Sequence, residues 1–261
     1  MTSIIARAAL VPLLAEATLR AEQKTQLVLG EAGRIIEHSG EWRRIRADLD
    51  GYEGWVHRGY LVEVTDEEAV RWRNEANGWS LGATLHAGDR RIRLPLRARV
   101  ALDGDTVRLP DGLRGRLTQG SVHPANETAA AARARSPECW ALDHFAGSPY
   151  QWGGVTPSGV DCSGLVQTTF AARGTILPRD SALQVGVGSP VASEAIRPGD
   201  LLFFRGEEER AITHVAFAGE ADTLIHATVA CGGVVVEPWL PGTRAASLRE
   251  RLDAVRRLEA R

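Results

Sequence analysis

The chain is organised around residues 147–166, where a polar, glycine-rich loop leads into a cysteine and an apolar segment follows. The stretch reads Gly147-Ser148-Pro149-Tyr150-Gln151-Trp152-Gly153-Gly154-Val155-Thr156-Pro157-Ser158-Gly159-Val160-Asp161-Cys162-Ser163-Gly164-Leu165-Val166. The change from loop to apolar segment predicts that Cys162 lies at the start of a helix. Amide N–H groups and the positive end of the helix dipole favour a thiolate there, so we expect a depressed pKa for Cys162.

Length and composition set the broad class of the protein. At 261 residues the chain exceeds one typical domain, and its 44% apolar residues are enough to bury a core. The net charge of −2 and the lack of a basic block argue against nucleic acid or an anionic membrane surface as a partner. The three cysteines are widely spaced, without the spacing of metal ligands, so we expect reduced thiols and no metal site.

Residues 1–16 are apolar but differ from a secretory signal. No basic segment leads, Arg7 and Pro12 interrupt the apolar run, and no small-residue cleavage site follows. We therefore expect a strand here and a cytoplasmic protein. No window approaches about 18 uninterrupted apolar residues, so no transmembrane helix is predicted.

Residues 4–64 alternate between apolar and polar positions, with glycine and aspartate at the breaks, which is typical of a small antiparallel barrel. The clearest strand-like runs are Leu27–Glu31, Arg34–His38, Trp42–Arg46 and Gly54–Val56. Asp50-Gly51 predicts a hairpin turn. The order of these pieces resembles a bacterial SH3-like barrel, which we expect over residues 1–66.

Residues 67–124 form a second, less regular β-rich section. Strands are predicted at Leu94–Leu102, Thr106–Gly112 and Leu113–Leu117. We interpret the section as a second small β-barrel, and one irregular β-domain spanning both sections is the alternative.

Residues 125–261 change to a pattern of helices followed by strands, which predicts an α+β domain. The helix that begins near Cys162 should extend to about Arg173. The predicted strands that follow are Leu201–Phe204, His214–Gly219, Thr223–Ala227 and Gly233–Glu237.

This domain contains the groups that a cysteine peptidase needs: a thiol, an imidazole that activates it, and a polar group that orients the imidazole. Cys162 is the candidate nucleophile. His214 and His226 lie on neighbouring predicted strands, where a hairpin would bring the two imidazoles within hydrogen-bond reach.

Five motifs, which follow one another along residues 149–227, resemble those of a known protein family. They are Pro149–Gly154, Asp161–Val166, Arg197–Phe204, His214–Ala216 and Ile225–Ala227. Together they resemble the NlpC-type bacterial cell-wall peptidases, a papain-like family. The resemblance implies that Cys162 is the nucleophile, His214 the base and His226 the orienting residue, with the Tyr150 hydroxyl assisting the oxyanion hole. The fold class expected is multidomain, with all-β SH3-like barrel(s) followed by an α+β papain-like catalytic domain and no cofactor.

The whole chain resembles the recycling branch of that family, the γ-D-glutamyl-L-diamino acid endopeptidases (dipeptidyl-peptidase VI). The resemblance implies hydrolysis of the γ-D-glutamyl–diamino acid bond in stem peptides such as L-Ala-γ-D-Glu-diaminopimelate, with a free N-terminal L-alanine. The residues implied in binding the amine are Asp161, Ser163, Ser181, Tyr52 and Glu22. For Asp161, capping of the helix N-terminus is an alternative role.

Two other functions remain open from the sequence. One is a secreted hydrolase that acts on polymeric peptidoglycan, and the other is a non-catalytic module that binds wall peptides. The accepted diamino acid and the oligomeric state do not follow from the residues.

Overall fold

The computed structural model describes residues 2–206 and 211–259. The chain divides into two compact units, Met1–Ala129 and Ala130–Arg261. The finer division predicted at residues 66 and 124 stays a prediction, and the two units are described in turn.

The secondary structure comprises nineteen strands and six α-helices within the described residues. The strands are β1 Thr2–Ala6, β2 Leu10–Leu14, β3 Gln23–Val28, β4 Ala32–Ser39, β5 Trp42–Ala47, β6 Glu53–His57, β7 Leu61–Thr65, β8 Gly78–Ala87, β9 Arg90–Asp103, β10 Thr106–Arg108, β11 Arg114–Pro124, β12 Val155–Thr156, β13 Gly159–Val160, β14 Ser189–Pro190, β15 Leu201–Arg205, β16 Ile212–Ala218, β17 Thr223–Thr228, β18 Gly233–Pro238 and β19 Leu252–Arg257. The helices are α1 Asp66–Glu75, α2 Ala125–Arg133, α3 Pro137–Phe145, α4 Cys162–Ala172, α5 Ser181–Gln184 and α6 Ser247–Glu250.

The first unit begins with a seven-stranded antiparallel sheet in the order β3-β2-β6-β5-β4-β1-β7. Inward-facing residues alternate with exposed ones along β5, so that Ile45 is fully buried while the flanking arginines, Arg44 and Arg46, face solvent. Ile45 packs with Val56 and residues of β1 and β2 in one apolar core. The antiparallel β-structure predicted for this region is confirmed.

Helix α1 was not predicted from the sequence, which was interpreted as β-rich over residues 67–124. Thr65 caps the helix by accepting a hydrogen bond from the Glu68 N–H, and the Glu68 carboxylate accepts the Thr65 N–H at 2.8 Å. This capping box marks a helix start in the sequence itself. Trp72 anchors the helix by donating its indole N–H to the carbonyl of Gly30.

The remaining strands of the first unit, β8 to β11, close into a four-stranded barrel. Its strand β9 carries Arg97, which adopts the left-handed backbone conformation with φ +80°. The Arg97 guanidinium binds the carboxylate of Glu31 through Nε at 2.6 Å, and both side chains are buried. Glu31 also accepts the Val28 N–H at 2.9 Å, so the ion pair connects β9 to the turn after β3.

We expect Glu31→Ala to lower the free energy of unfolding by about 3 to 5 kcal/mol, because it leaves the Arg97 guanidinium buried without its carboxylate. Urea denaturation of the full chain measures the change. Glu37→Ala, which removes an exposed carboxylate on β4, is the control and should change the free energy by less than about 0.5 kcal/mol. Equal effects of the two substitutions would contradict a stabilising role for the Glu31–Arg97 pair.

The second unit contains a six-stranded antiparallel sheet in the order β14-β19-β15-β16-β17-β18. Helix α4 packs against β16 and β17, and every residue of α4 is buried. Phe170 of α4 stacks on Phe217 of β16 with ring centroids 6.1 Å apart. A helix that is buried on all sides is typical of a central core element. The first residue of this helix, Cys162, is thereby fixed against the sheet.

Every helix in the described part of the chain is too short or too polar to span a bilayer.

Candidate active site

Cys162 begins helix α4 and is 7% exposed. Asp161 precedes it in extended backbone conformation and accepts the N–H of Gly164 at 2.7 Å, which caps the first turn of the helix. Glycine is needed at position 164 because a Cβ there would lie 2.1 Å from the carbonyl oxygen of Gly154. The loop therefore packs directly on the helix start and fixes the position of the cysteine.

The pKa of the Cys162 thiol is raised to about 12 by burial and, to a smaller extent, by the negative charge of Asp161. The backbone N–H groups of Val215 and Ser163 and the charge of Arg179 act in the opposite direction. The expected depressed pKa is therefore wrong for the resting site. A helix N-terminus contributes about 1 kcal/mol, which is less than the cost of burying a thiolate.

His214 lies on β16, directly before Val215, whose N–H contacts the Cys162 sulfur. This contact places the imidazole of His214 in the neighbourhood of the thiol. Burial, followed by the positive charges that His226, Arg251 and Arg244 can carry, lowers the pKa of His214 to about 3. The imidazole is therefore neutral near pH 7 and has a lone pair with which to accept a proton.

His226 on β17 contacts His214 as the sequence predicted: His214 Nε2 and His226 Nδ1 are 2.8 Å apart. The other ring nitrogen of His226, Nε2, lies 2.9 Å from the carboxylate oxygen Oε2 of Glu237 on β18. Glu237 was not among the predicted site residues. It is an acidic residue at the end of an otherwise apolar predicted strand, which was the only signal in the sequence.

Tyr150 lies close enough to Cys162 and Asp161 for their charges to affect it. Burial first, and then the negative charges that Cys162 and Asp161 can carry, raise the pKa of the Tyr150 hydroxyl. The hydroxyl therefore stays protonated. The Tyr150 backbone N–H donates to the carbonyl of Gly232 at 2.8 Å, which anchors the loop beside β18.

Arg179 forms a buried network with Asp161 and Ser163. Its guanidinium contacts the two Asp161 carboxylate oxygens at 2.6 and 3.0 Å and the Ser163 hydroxyl at 2.7 Å. The Gly153 N–H donates to the same carboxylate at 2.8 Å. In the structure Asp161 thus has the capping and structural role that the sequence left open, and its part in substrate binding stays a prediction. The sequence interpretation named Ser181 and missed Arg179, which lies two residues before it.

Ser181 begins the short helix α5 and is 8% exposed. The next polar residue of that helix, Gln184, donates its side-chain amide to the backbone carbonyls of Ser163 and Pro178. These bonds tie the segment that carries Ser181 to the first turn of α4. The structure therefore brings Asp161, Ser163 and Ser181 together in the second unit.

Tyr52 and Glu22 belong to the first unit. Tyr52 is half-buried before β6, and the Lys24 ammonium lies 5.3 Å from the centre of its ring. Glu22 is exposed immediately before β3, and its carbonyl accepts the Ala15 N–H at 2.9 Å. The role of both residues in binding an amine stays a prediction.

The second unit therefore combines a thiol on a helix N-terminus, a neutral imidazole on the strand that contacts this thiol, a second imidazole hydrogen-bonded to the first, and a protonated phenol. A thiol and a base of this kind can attack a carbonyl carbon and form a thioester. The Tyr150 hydroxyl and the backbone N–H groups at the start of α4 are available as donors to an oxyanion.

The chain is similar in sequence to known peptidases. The chain is 28% identical over 227 residues to the gamma-D-glutamyl-L-lysine dipeptidyl-peptidase of Bacillus subtilis, an alignment that covers 78% of this chain and 71% of the relative. A Bacillus cereus protein of the same name is 27% identical, with 82% and 70% covered. A probable endopeptidase of Haemophilus influenzae is 44% identical over 92 residues, which are 35% of this chain and 56% of that protein.

A solved structure supports the fold over the length of the chain. The crystal structure of an NlpC/P60 family protein from Bacillus cereus superposes with a TM-score of 0.77 at 21% identity, covering 98% of this chain and 99% of that one. Residues 147–246 match the NlpC/P60 family, and residues 13–61 match the bacterial dipeptidyl-peptidase SH3 domain. The chain thus carries an NlpC/P60 family domain preceded by a bacterial dipeptidyl-peptidase SH3 domain.

Proposed function

We propose that the protein is a cysteine endopeptidase that hydrolyses the γ-D-glutamyl–diamino acid bond of peptidoglycan stem peptides with a free N-terminal L-alanine. The observation that carries the proposal is the Cys162 thiol at the N-terminus of α4, which accepts the N–H of Val215, the residue directly after His214, whose imidazole is hydrogen-bonded to that of His226. The activity serves cell-wall recycling in the cytoplasm.

Catalysis begins with the neutral thiol and the neutral imidazole. The Cys162 sulfur attacks the γ-carbonyl carbon of the D-glutamyl residue while His214 accepts the thiol proton, so a C–S bond forms as the carbonyl π bond opens. The tetrahedral intermediate collapses, the C–N bond breaks, and His214 returns the proton to the departing amine. Water then hydrolyses the thioester with His214 again as base.

The oxyanion of the intermediate is stabilised by donors that are already in place. The raised pKa of Tyr150 keeps its hydroxyl protonated and able to donate a hydrogen bond. The backbone N–H of Cys162 lies in the first helical turn, where N–H groups have no acceptor within the helix. Fixed donors in a dry site stabilise developing charge more strongly than water does.

The requirement for a free amino terminus is supported by the relatives, because a dipeptidyl-peptidase releases two residues from the amino end of its substrate. An ammonium group that leaves water needs carboxylate or hydroxyl partners. We assign this recognition to Asp161, Ser163 and Ser181, with Tyr52 and Glu22 as the further residues implied by the sequence resemblance.

We expect Cys162→Ala to lower kcat on L-Ala-γ-D-Glu-diaminopimelate and on the corresponding L-lysine peptide by at least about 10³-fold, because the nucleophile is removed. Product formation is followed by mass spectrometry, and peptide binding by calorimetry should persist. Cys139→Ala, a half-buried cysteine of α3, is the matched control and should retain activity. Full activity in the Cys162 variant would refute the proposed mechanism.

The resting thiol should be neutral over a wide pH range. Because the pKa of Cys162 is raised to about 12 and that of His214 is lowered to about 3, proton loss from the thiol requires strongly alkaline solution and the imidazole gains no charge near neutrality. The ultraviolet difference spectrum of wild type minus Cys162→Ala should therefore show no thiolate band from about pH 5 to about pH 9. A constant thiolate band through this range would instead indicate a resting thiolate–imidazolium pair.

We expect acetylation of the L-alanine amine to lower kcat/KM at least about 100-fold, a difference of about 2.7 kcal/mol, because the acetylated nitrogen carries no positive charge and cannot make the charge-assisted hydrogen bonds of the ammonium. The assay compares the free and acetylated tripeptides by mass spectrometry, with intact sacculi as a third substrate. Equal cleavage of the free and acetylated peptides would overturn the amine requirement, and efficient digestion of sacculi would favour a hydrolase of polymeric wall.

A further inference from the structure

Glu237 extends the row of hydrogen-bonded side chains that begins at His214. On β17 and β18, His226 pairs with Val235 and Leu224 pairs with Glu237. Val235 and Glu237 are two residues apart and therefore point to the same face of the sheet as His226. Glu237 is thus the diagonal cross-strand neighbour of His226, a position from which a long side chain can reach an imidazole.

The same alternation places the two histidines on one face. Phe217 of β16 pairs with Ile225 of β17, and these two residues share the opposite face. His214 is three residues before Phe217 and His226 is one residue after Ile225, so both imidazoles project to the other side. His214, His226 and Glu237 therefore stand in one row across three adjacent strands.

Glu237 is held in its ionised form by Arg244. Arg244 Nε donates to Glu237 Oε1 at 2.8 Å, and a second guanidinium nitrogen contacts Oε2, the oxygen that faces His226. Partial burial would raise the pKa of Glu237, but hydrogen bonds from Arg244 and then His226 hold it below its ordinary value. An ionised carboxylate has no proton and can only accept hydrogen bonds.

Because Glu237 can only accept hydrogen bonds, it determines which ring nitrogens of His226 and His214 carry a hydrogen. Because Glu237 accepts, His226 Nε2 must carry a hydrogen, and in the neutral imidazole Nδ1 then has the lone pair. His226 Nδ1 in turn needs a donor, which is the Nε2–H of His214 at 2.8 Å. Neutral His214 with a hydrogen on Nε2 has its lone pair on Nδ1.

We propose that Glu237 is a positioning residue that fixes the tautomer of both histidines and thereby selects Nδ1 of His214 as the nitrogen that accepts the thiol proton. The kinetic part of this inference rests on the proposed peptidase function. Glu237 touches neither the thiol nor the substrate in this scheme and acts through His226.

The tautomers can be measured directly in the full-length protein by ¹⁵N–¹H correlation NMR of ¹⁵N-histidine-labelled samples. Spectra of His214→Gln and His226→Gln assign the signals. In the wild type we expect a hydrogen on Nε2 and a lone pair on Nδ1 for both residues. A hydrogen on Nδ1 of either histidine would overturn the proposal, whether or not any variant folds and whether or not any peptide is cleaved.

The decisive variant is Glu237→Gln, which keeps the size of the side chain but can either donate or accept a hydrogen bond. The amide permits the reversed row, in which Nδ1 of His214 carries the hydrogen and cannot act as a base. We expect a hydrogen on Nδ1 to appear in the spectrum and kcat to fall roughly 10- to 100-fold with KM nearly unchanged. Glu220→Gln, an exposed glutamate between β16 and β17, is the control and should match the wild type in both measurements.

Glu237→Asp provides the rescue test, because the shorter carboxylate keeps an acceptor-only group. It should retain the wild-type tautomers and more activity than Glu237→Gln. Wild-type tautomers and wild-type kcat in Glu237→Gln would overturn the inference. If the wild type cleaves no stem peptide but shows the expected tautomers, the proposed function fails while the assignment of Glu237 stands.

Discussion

The buried ion pair between Arg179 and Asp161 is the interaction on which the active-site turn depends. Its carboxylate accepts hydrogen bonds from the glycine-rich loop, from the first turn of α4 and from the segment before α5, so three pieces of chain are fixed to one group. Removal of either partner would leave an uncompensated buried charge. The same carboxylate raises the pKa of the adjacent Cys162, so the group that positions the nucleophile also opposes its ionisation.

The alternation of side chains along a β-strand explains how the histidines and Glu237, which are distant in sequence, come together. Successive side chains alternate between the faces of a sheet, and adjacent strands bring diagonal neighbours within reach of long side chains. His214, His226 and Glu237 occupy such positions on β16, β17 and β18. The strand that carries His214 also contacts the nucleophile, because the N–H of Val215 on β16 donates a hydrogen bond to the Cys162 sulfur.

Much of this arrangement follows from local sequence signals. The loop before Cys162 and the spacing of two histidines on a hairpin predicted the helix start and the imidazole contact, because both depend on short-range geometry. Helix α1 was missed although Thr65 and Glu68 form a capping box, since β-like runs on both sides dominated the interpretation. Arg179 was missed because its role depends on a partner 18 residues away across an irregular segment, which propensity and periodicity do not reveal. Glu237 lies on the next predicted strand, and it was missed because the hairpin argument stopped at the two histidines. The direction of the Cys162 pKa shift was wrong because burial cannot be judged from a helix N-terminus.

The neutral resting forms of Cys162 and His214 and the fixed tautomers of the two histidines complement each other chemically. Burial disfavours charge on both Cys162 and His214, so the thiol proton moves only when the sulfur attacks a bound carbonyl. In the proposed mechanism His214 then becomes an imidazolium, whose charge is stabilised through His226 by the Glu237 carboxylate at the far end of the row. In the same mechanism the protonated Tyr150 hydroxyl donates to the opposite charge, on the oxyanion. The two charges of the intermediate therefore each meet a prepared partner, while the resting enzyme carries neither of them in its buried site.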